Sequence, residues 1–148
     1  MENNIELFLQ LPILSKLEPK ALRLIAFAAE KRVLRAGDVL FRQGDLSEGG
    51  FVVISGAIAL DSSQSAAVAG KIVGPGGLLG ELALLIATRH PATAVARQNA
   101  TLLKIPRALF LRALEESPLS AQRLKRALGR ELESYSVELE KTRQALIE

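Results

Sequence analysis

Between Lys31 and Pro106 the chain is cut into short lengths by Gly37, Gly44, the Gly49-Gly50 pair, Gly56, Gly70 and the Gly74-Pro75-Gly76-Gly77 run. The apolar runs left between these breaks are too short for ordinary helices and suit strands joined by tight turns. Strands are predicted over Arg32 to Leu34, Val39 to Arg42, Phe51 to Ser55, Ala57 to Leu60, Ala67 to Val73, Thr93 to Arg97 and Thr101 to Ile105. Seven or eight such strands within about 75 residues predict a compact antiparallel roll or jelly-roll sandwich. Leu82 to Ile86, rich in Leu and Ala behind a glycine, is expected as a short helix inserted between strands.

The flanks read differently. Residues 5 to 30 carry Ile5, Phe8, Leu11, Leu14, Leu17, Leu22 and Ile25 at spacings near three and four, interrupted by Pro12 and Pro19, which predicts two or three short helices. After Pro106, Arg107 to Glu116 reads as one helix ended by Ser117-Pro118, and 119 to 147 as a long second one. In the latter Leu128, Leu132, Tyr135, Leu139 and Leu146 form a heptad seam, with Thr142 at the intermediate position. Nearly 30 helical residues reach roughly 43 Å, longer than a domain of this size can cover, so a homodimer contact through Leu128, Leu132, Tyr135 and Leu139 is expected. Residues 61 to 67 read as a flexible hairpin loop.

The expected class is α+β: an antiparallel β-roll or jelly roll of about eight strands with N-terminal helices, an inserted cassette helix and two C-terminal helices. One domain is expected over 1–148, with helices in 1–30, the roll in 31–105 and hinge and lid or dimer helices in 106–148.

Composition narrows the chemistry. There is no Cys, which removes disulfide scaffolds, thiolate metal sites and cysteine nucleophiles. The single histidine, His90, disfavours multi-imidazole metal sites and any Ser-His-Asp arrangement not built on it. No enzyme activity, metal or other cofactor is expected. Net charge is +3, with both signs interspersed except around residues 101 to 130, read as a solvated helical face with no direct nucleic-acid partner. No signal sequence or membrane span is recognisable, so a cytoplasmic protein without membrane contact is expected.

The segment with chemistry in it is Gly74 to Ala96. Backbone N–H groups of Gly80, Glu81, Leu82 and Ala83 could converge on an anion at a helix start. Glu81 is flanked by leucines and alanine, and a carboxylate buried there would need a donor. A ligand carrying hydroxyls and an anion, such as a ribose phosphate, would satisfy both features; a helix cap or a pair with Arg89 is the alternative.

Gly80-Glu81-Leu82-Ala83-Leu84 and Ala92-Thr93-Ala94-Val95, with Gly37, Gly44 and Gly56 at turn positions, resemble the cyclic nucleotide-binding domain family over essentially the whole chain. That family includes catabolite-activator-type regulators, kinase regulatory subunits and nucleotide-gated channels. The resemblance implies that Glu81 takes the ribose 2′-hydroxyl, that the amides after Gly80 and an arginine take the cyclic phosphate, and that the final helix acts as a lid. An ungapped match puts His90 at the arginine position and Pro91 where an N–H meets the phosphate. Shortening the variable loop by one residue instead makes Arg89 the phosphate ligand and His90 a rim residue, and this alignment is preferred.

The implied function is a ligand-sensing regulatory module for a cyclic purine nucleotide, cAMP ahead of cGMP because no Thr follows the arginine position. Occupancy would be relayed through the C-terminal helices to an output partner that the sequence does not identify. The alternative is a degenerate domain of the same fold serving as a ligand-independent dimerisation or docking element. A cupin-type metalloenzyme and a haem-based sensor rank below both, for want of ligands.

Overall fold

The structure, a computed structural model, describes residues 2–63 and 69–127. Helix α1 (Glu2–Leu9), a 3-10 turn (Leu14–Lys16) and α2 (Pro19–Ala28) precede eight strands: β1 (Glu30–Leu34), β2 (Val39–Phe41), β3 (Gly49–Ser55), β4 (Ile58–Asp61), β5 (Ile72–Val73), β6 (Leu78–Leu79), β7 (Thr93–Ala96) and β8 (Ala100–Pro106). A 3-10 turn, Leu82–Leu84, lies between β6 and β7, and α3 (Arg107–Glu115) follows β8. Helical conformation resumes over 118–127.

The strands form two four-stranded antiparallel sheets, ordered β1-β8-β3-β6 and β2-β7-β4-β5. The first sheet is covered on both faces, and its sequence shows it: Phe51-Val52-Val53 and Leu102-Leu103 are continuous apolar runs rather than alternating ones. Val52, Leu103 and Ile105 face the helices, where they join Phe8, Leu14, Leu22, Ile25 and Phe110. Phe51, Val53 and Leu102 face inward against Ile58, Leu79, Ala94 and Ala96 of the roll. The sheet thus separates two apolar clusters that share its strands.

Gly56 turns β3 into β4 at φ +85°, a region that disfavours side chains. The N- and C-terminal helices interlock at a buried serine pair. Ser117 Oγ donates to the Glu18 carboxylate at 2.7 Å, Ser117 and Ser120 hydroxyls lie 2.7 Å apart, and the Glu18 N–H donates to Ser120 Oγ at 2.7 Å.

The roll and its flanking helices agree with expectation, and three local features differ. Strand β6 was not expected, because two residues carry no periodicity of their own and form a strand only by pairing with Phe51 and Val52. The cassette helix shrinks from Leu82–Ile86 to one 3-10 turn, since the Leu85 and Ile86 N–H groups both donate back to the Leu82 carbonyl. Strand β5 begins at Ile72. The seam residues Leu128, Leu132, Tyr135, Leu139 and Leu146 lie outside the described residues, as does part of the 61–67 loop; Leu124, just before the seam, is buried against the helical cluster.

Candidate functional site

Strand β6 delivers the chain to Gly80, whose φ of +80° turns it away from the sheet. Only glycine adopts that conformation without strain, and the turn is also close, because a Cβ at Gly80 would lie 3.2 Å from the Gly49 carbonyl oxygen. Glu81 then occupies the N-cap position of the Leu82–Leu84 turn without a side-chain cap bond. Its side chain is exposed, as is Leu82, whereas Ala83 and Leu84 are buried. The sequence suggests a carboxylate enclosed by leucines; the tight turn instead leaves its first two residues, Glu81 and Leu82, exposed and buries the next two, Ala83 and Leu84.

The return limb of the cassette sends the two basic residues to opposite sides. Arg89 forms an isolated bridge with Leu46, and the flanking residue His90 donates its N–H to the Asp45 carbonyl at 2.8 Å and accepts from the Gly44 N–H at 2.9 Å. In extended chain consecutive side chains point to opposite sides. His90 is accordingly buried, at 7% exposure, with its ring stacked on Phe41. Arg89 is exposed, and its Nη1 donates to the Gly44 carbonyl at 2.8 Å.

A cavity of about 210 Å³ lies between roll and cassette. Phe41 and Leu60 form its floor, Leu79, Gly80 and Glu81 one side, and His90, Pro91 and Ala92 the other. Three of the six expected ligand residues, Gly80, Glu81 and His90, line it, and Leu82, Ala83 and Arg89 are not part of its lining. The floor residues Phe41 and Leu60 and the wall residue Leu79 were not singled out from the sequence. The signal for Phe41 and Leu60 is the alternation of strands β2 and β4, which gives the inward positions but not the residue each faces; Leu79, in two-residue β6, carries none.

The comparison with known families decides what this arrangement is. The model of the cyclic nucleotide-binding domain matches residues 31–117. The chain belongs to the cyclic nucleotide-binding domain family. It is 32% identical over 133 residues to the cyclic AMP receptor protein of Thermus thermophilus, covering 87% of this chain and 61% of that protein. It is 34% identical over 136 residues to lysophospholipase nte1 of Aspergillus fumigatus, covering 84% of this chain and 9% of that enzyme. Among solved structures it resembles a cyclic nucleotide-binding-like protein from Brucella abortus, with TM-score 0.69 at 36% identity, covering 76% of this chain and 98% of that one. The chain thus spans only part of the length of the curated relatives it matches.

Within this cyclic nucleotide-binding domain, the electrostatics of the cassette cavity rest on two residues. Its charged and titratable lining residues are Glu81 and His90. Burial pushes the His90 imidazole below its ordinary value, and the Asp45 carboxylate offsets this only in part, so the ring favours its neutral form. Pro91, which brings no N–H, accepts from Ser62 Oγ at its carbonyl. On the far side of the Phe41 and His90 rings lies a second, half-open cavity of about 350 Å³. Leu34, Val39, Leu40 and Phe51 line its apolar part, and Arg32, Asp45, Glu48 and Lys104 its polar part. The Lys104 ammonium holds the Glu48 carboxylate and lowers its pKa, chiefly through their hydrogen bond.

Among the described residues no group of three or more His, Cys, Asp or Glu could hold a metal ion, and no helix is long and apolar enough to cross a membrane.

Proposed function

We propose that this chain is a ligand-sensing regulatory module whose cassette cavity takes a cyclic purine nucleotide. The observation that carries the reading is that Gly80 and Glu81, from one limb of the cassette, and His90, from the other, line one cavity against the roll. In this reading Glu81 accepts from the ribose 2′-hydroxyl, and the cyclic phosphate lies by the Gly80–Ala83 backbone and His90. His90 is favoured over Arg89 because its ring lines the cavity, while the Arg89 guanidinium is engaged by Gly44. An Arg89 ligand would first have to leave that carbonyl and cross the bridge to Leu46. The neutral imidazole becomes an effective phosphate partner only on taking up a proton. cAMP is preferred to cGMP, since no Thr follows His90.

At about 210 Å³ the cavity is below the roughly 300 Å³ of typical ligand pockets, so nucleotide capture requires movement of the cassette or closure by the C-terminal helix. The expected homodimer contact through Leu128, Leu132, Tyr135 and Leu139, outside the described residues, would carry occupancy to an output partner. No catalysis is assigned to the chain. Titration calorimetry with cAMP and cGMP tests the reading: saturable heat supports it, and silence with both on folded protein sinks it.

A second reading rests on the neutral His90 and the prolyl residue beside it, which remove the fixed cation and an N–H from the phosphate position. A domain with those two losses could serve as a docking or dimerisation element without ligand. Silence in calorimetry together with a dimer in sedimentation, lost on truncation near Glu116, would favour it.

A further inference from the structure

Arg107, the first residue of α3, is half-buried at the point where cassette, roll and C-terminal helices meet. Its Nε donates to the Ala83 carbonyl at 2.9 Å, and its Nη2 to both the carbonyl and the hydroxyl of Ser47, at 2.7 and 2.9 Å. Its backbone N–H donates to the Glu48 carbonyl at 2.8 Å. Ser47, 5% exposed, in turn donates its N–H to the Thr88 carbonyl at 2.8 Å, and the Thr88 N–H returns to Ser47 Oγ at 3.2 Å. Ala83 and Thr88 bound the cassette's variable loop. One guanidinium, directly and through one serine, therefore ties both ends of that loop to the start of α3.

The surrounding backbone leaves little slack. A Cβ at Gly49 would clash with the Ile105 carbonyl oxygen and lie 2.9 Å from the Arg107 nitrogen, and one at Gly50 would lie 3.1 Å from the Leu84 side chain. Packed junctions of this kind transmit displacement because they have no soft volume to absorb it. The planar guanidinium, with donors fixed in a fork, can bond carbonyls on two separate segments at once, which an ammonium on a flexible stem does not reproduce.

We infer that Arg107 is a positioning residue that couples the cassette to α3, so that a shift of the cassette is felt at the first turn of the helix and loosening that turn loosens the cassette. Such coupling is reciprocal and so is measurable without any ligand. Only its ligand arm rests on the cyclic-nucleotide reading.

Residue-resolved hydrogen exchange on the full chain, comparing wild type with Arg107→Lys, Arg107→Ala and Ser47→Ala, tests the coupling. Without ligand, the Leu84, Leu85 and Ile86 amides should exchange about tenfold faster in both Arg107 variants, while Val52 and Leu103 amides in the covered sheet keep their protection. Ser47→Ala, which keeps its carbonyl, should give a smaller change confined to Thr88 and its neighbours. With cAMP, wild type should gain protection in both cassette and α3, and the Lys variant in the cassette alone. Unchanged cassette amides, a uniform loss matching global destabilisation, or full rescue by Lys would each overturn the inference. Absence of any cAMP effect on wild type would count against the proposed ligand, while the ligand-free comparison still decides the coupling.

Discussion

The His90 and Phe41 rings lie parallel, with centroids 3.7 Å apart and planes within 8°. Through that stack the only histidine of the chain becomes a wall shared by the cassette cavity and the larger one behind it. A buried, stacked imidazole resists protonation, and protonation is what a phosphate would demand of it.

The first prediction concerns stability and pH. The folded-state pKa of His90 is lowered by burial, so near and below the ordinary value of about 6.5 the unfolded chain binds a proton that the folded chain refuses. The contribution is complete above that value and is lost as pH falls from it towards the lowered folded pKa. Thermal unfolding followed across that window should show stability falling with pH in wild type, and a flatter profile in His90→Phe. An identical slope in both proteins would mean that His90 does not set it.

Ligand affinity should run the same proton in the opposite sense. A cyclic phosphate beside His90 favours the imidazolium, so nucleotide binding takes up a proton and weakens as pH rises past the free-state pKa. Calorimetry in buffers of different ionisation enthalpy reads the proton directly. His90→Arg should remove the pH dependence and tighten binding, by about 1.5 to 3 kcal/mol for a hydrogen bond to a charged group. Binding that is independent of pH in wild type places the phosphate elsewhere.

Glu81→Ala should cost the fold little, since the side chain is exposed. Nucleotide affinity should fall by about 1.5 to 3 kcal/mol, the worth of a hydrogen bond to a carboxylate. Calorimetry beside urea unfolding separates the two effects. Equal affinity in variant and wild type removes Glu81 from the ribose.

Glycine substitutions at the junction should divide by mechanism. Gly80→Ala forces a side chain into a left-handed backbone at φ +80°, a cost of about 1 to 2 kcal/mol. Gly49→Ala places a Cβ against the backbone of Ile105 and Pro106, which cannot yield as a side chain would, so overpacking of about 3 kcal/mol or more is expected. Urea midpoints measure both, and a Gly49→Ala protein as stable as wild type would contradict the close approach.

Ser120→Ala should destabilise the helical layer by about 1 to 3 kcal/mol. It removes the acceptor for the Glu18 N–H and the hydroxyl partner of Ser117 in a buried setting. Denaturant unfolding gives the magnitude, and faster amide exchange in α2 gives the location. A change below a few tenths of a kcal/mol would show that water replaces the hydroxyl.

Much of the architecture was legible because its signals are local. Glycine spacing marks strands β1 to β4, β7 and β8 to within a residue or two, and proline and leucine spacing marks the flanking helices. The two-residue strand β6 was not legible, because it exists only through pairing with β3, and the helix expected over Leu82 to Ile86 was legible in place but not in length. The apolar neighbours of Glu81 in sequence suggested burial, yet sequence neighbours are not spatial neighbours in a tight turn.

The choice between Arg89 and His90 shows the division most clearly. The sequence by itself determined a roll, a cassette and the family, and left two adjacent residues, Arg89 and His90, as candidates for a phosphate contact. It could not say which of the two faces inward, because in extended chain a slip of one residue reverses every side chain and leaves the local pattern equally plausible. Tertiary structure decided that orientation through bonds to a distant segment: Leu46 bridged to Arg89, and the Asp45 carbonyl and Gly44 N–H fixed on His90. Those contacts turn the imidazole onto Phe41 and the guanidinium towards solvent.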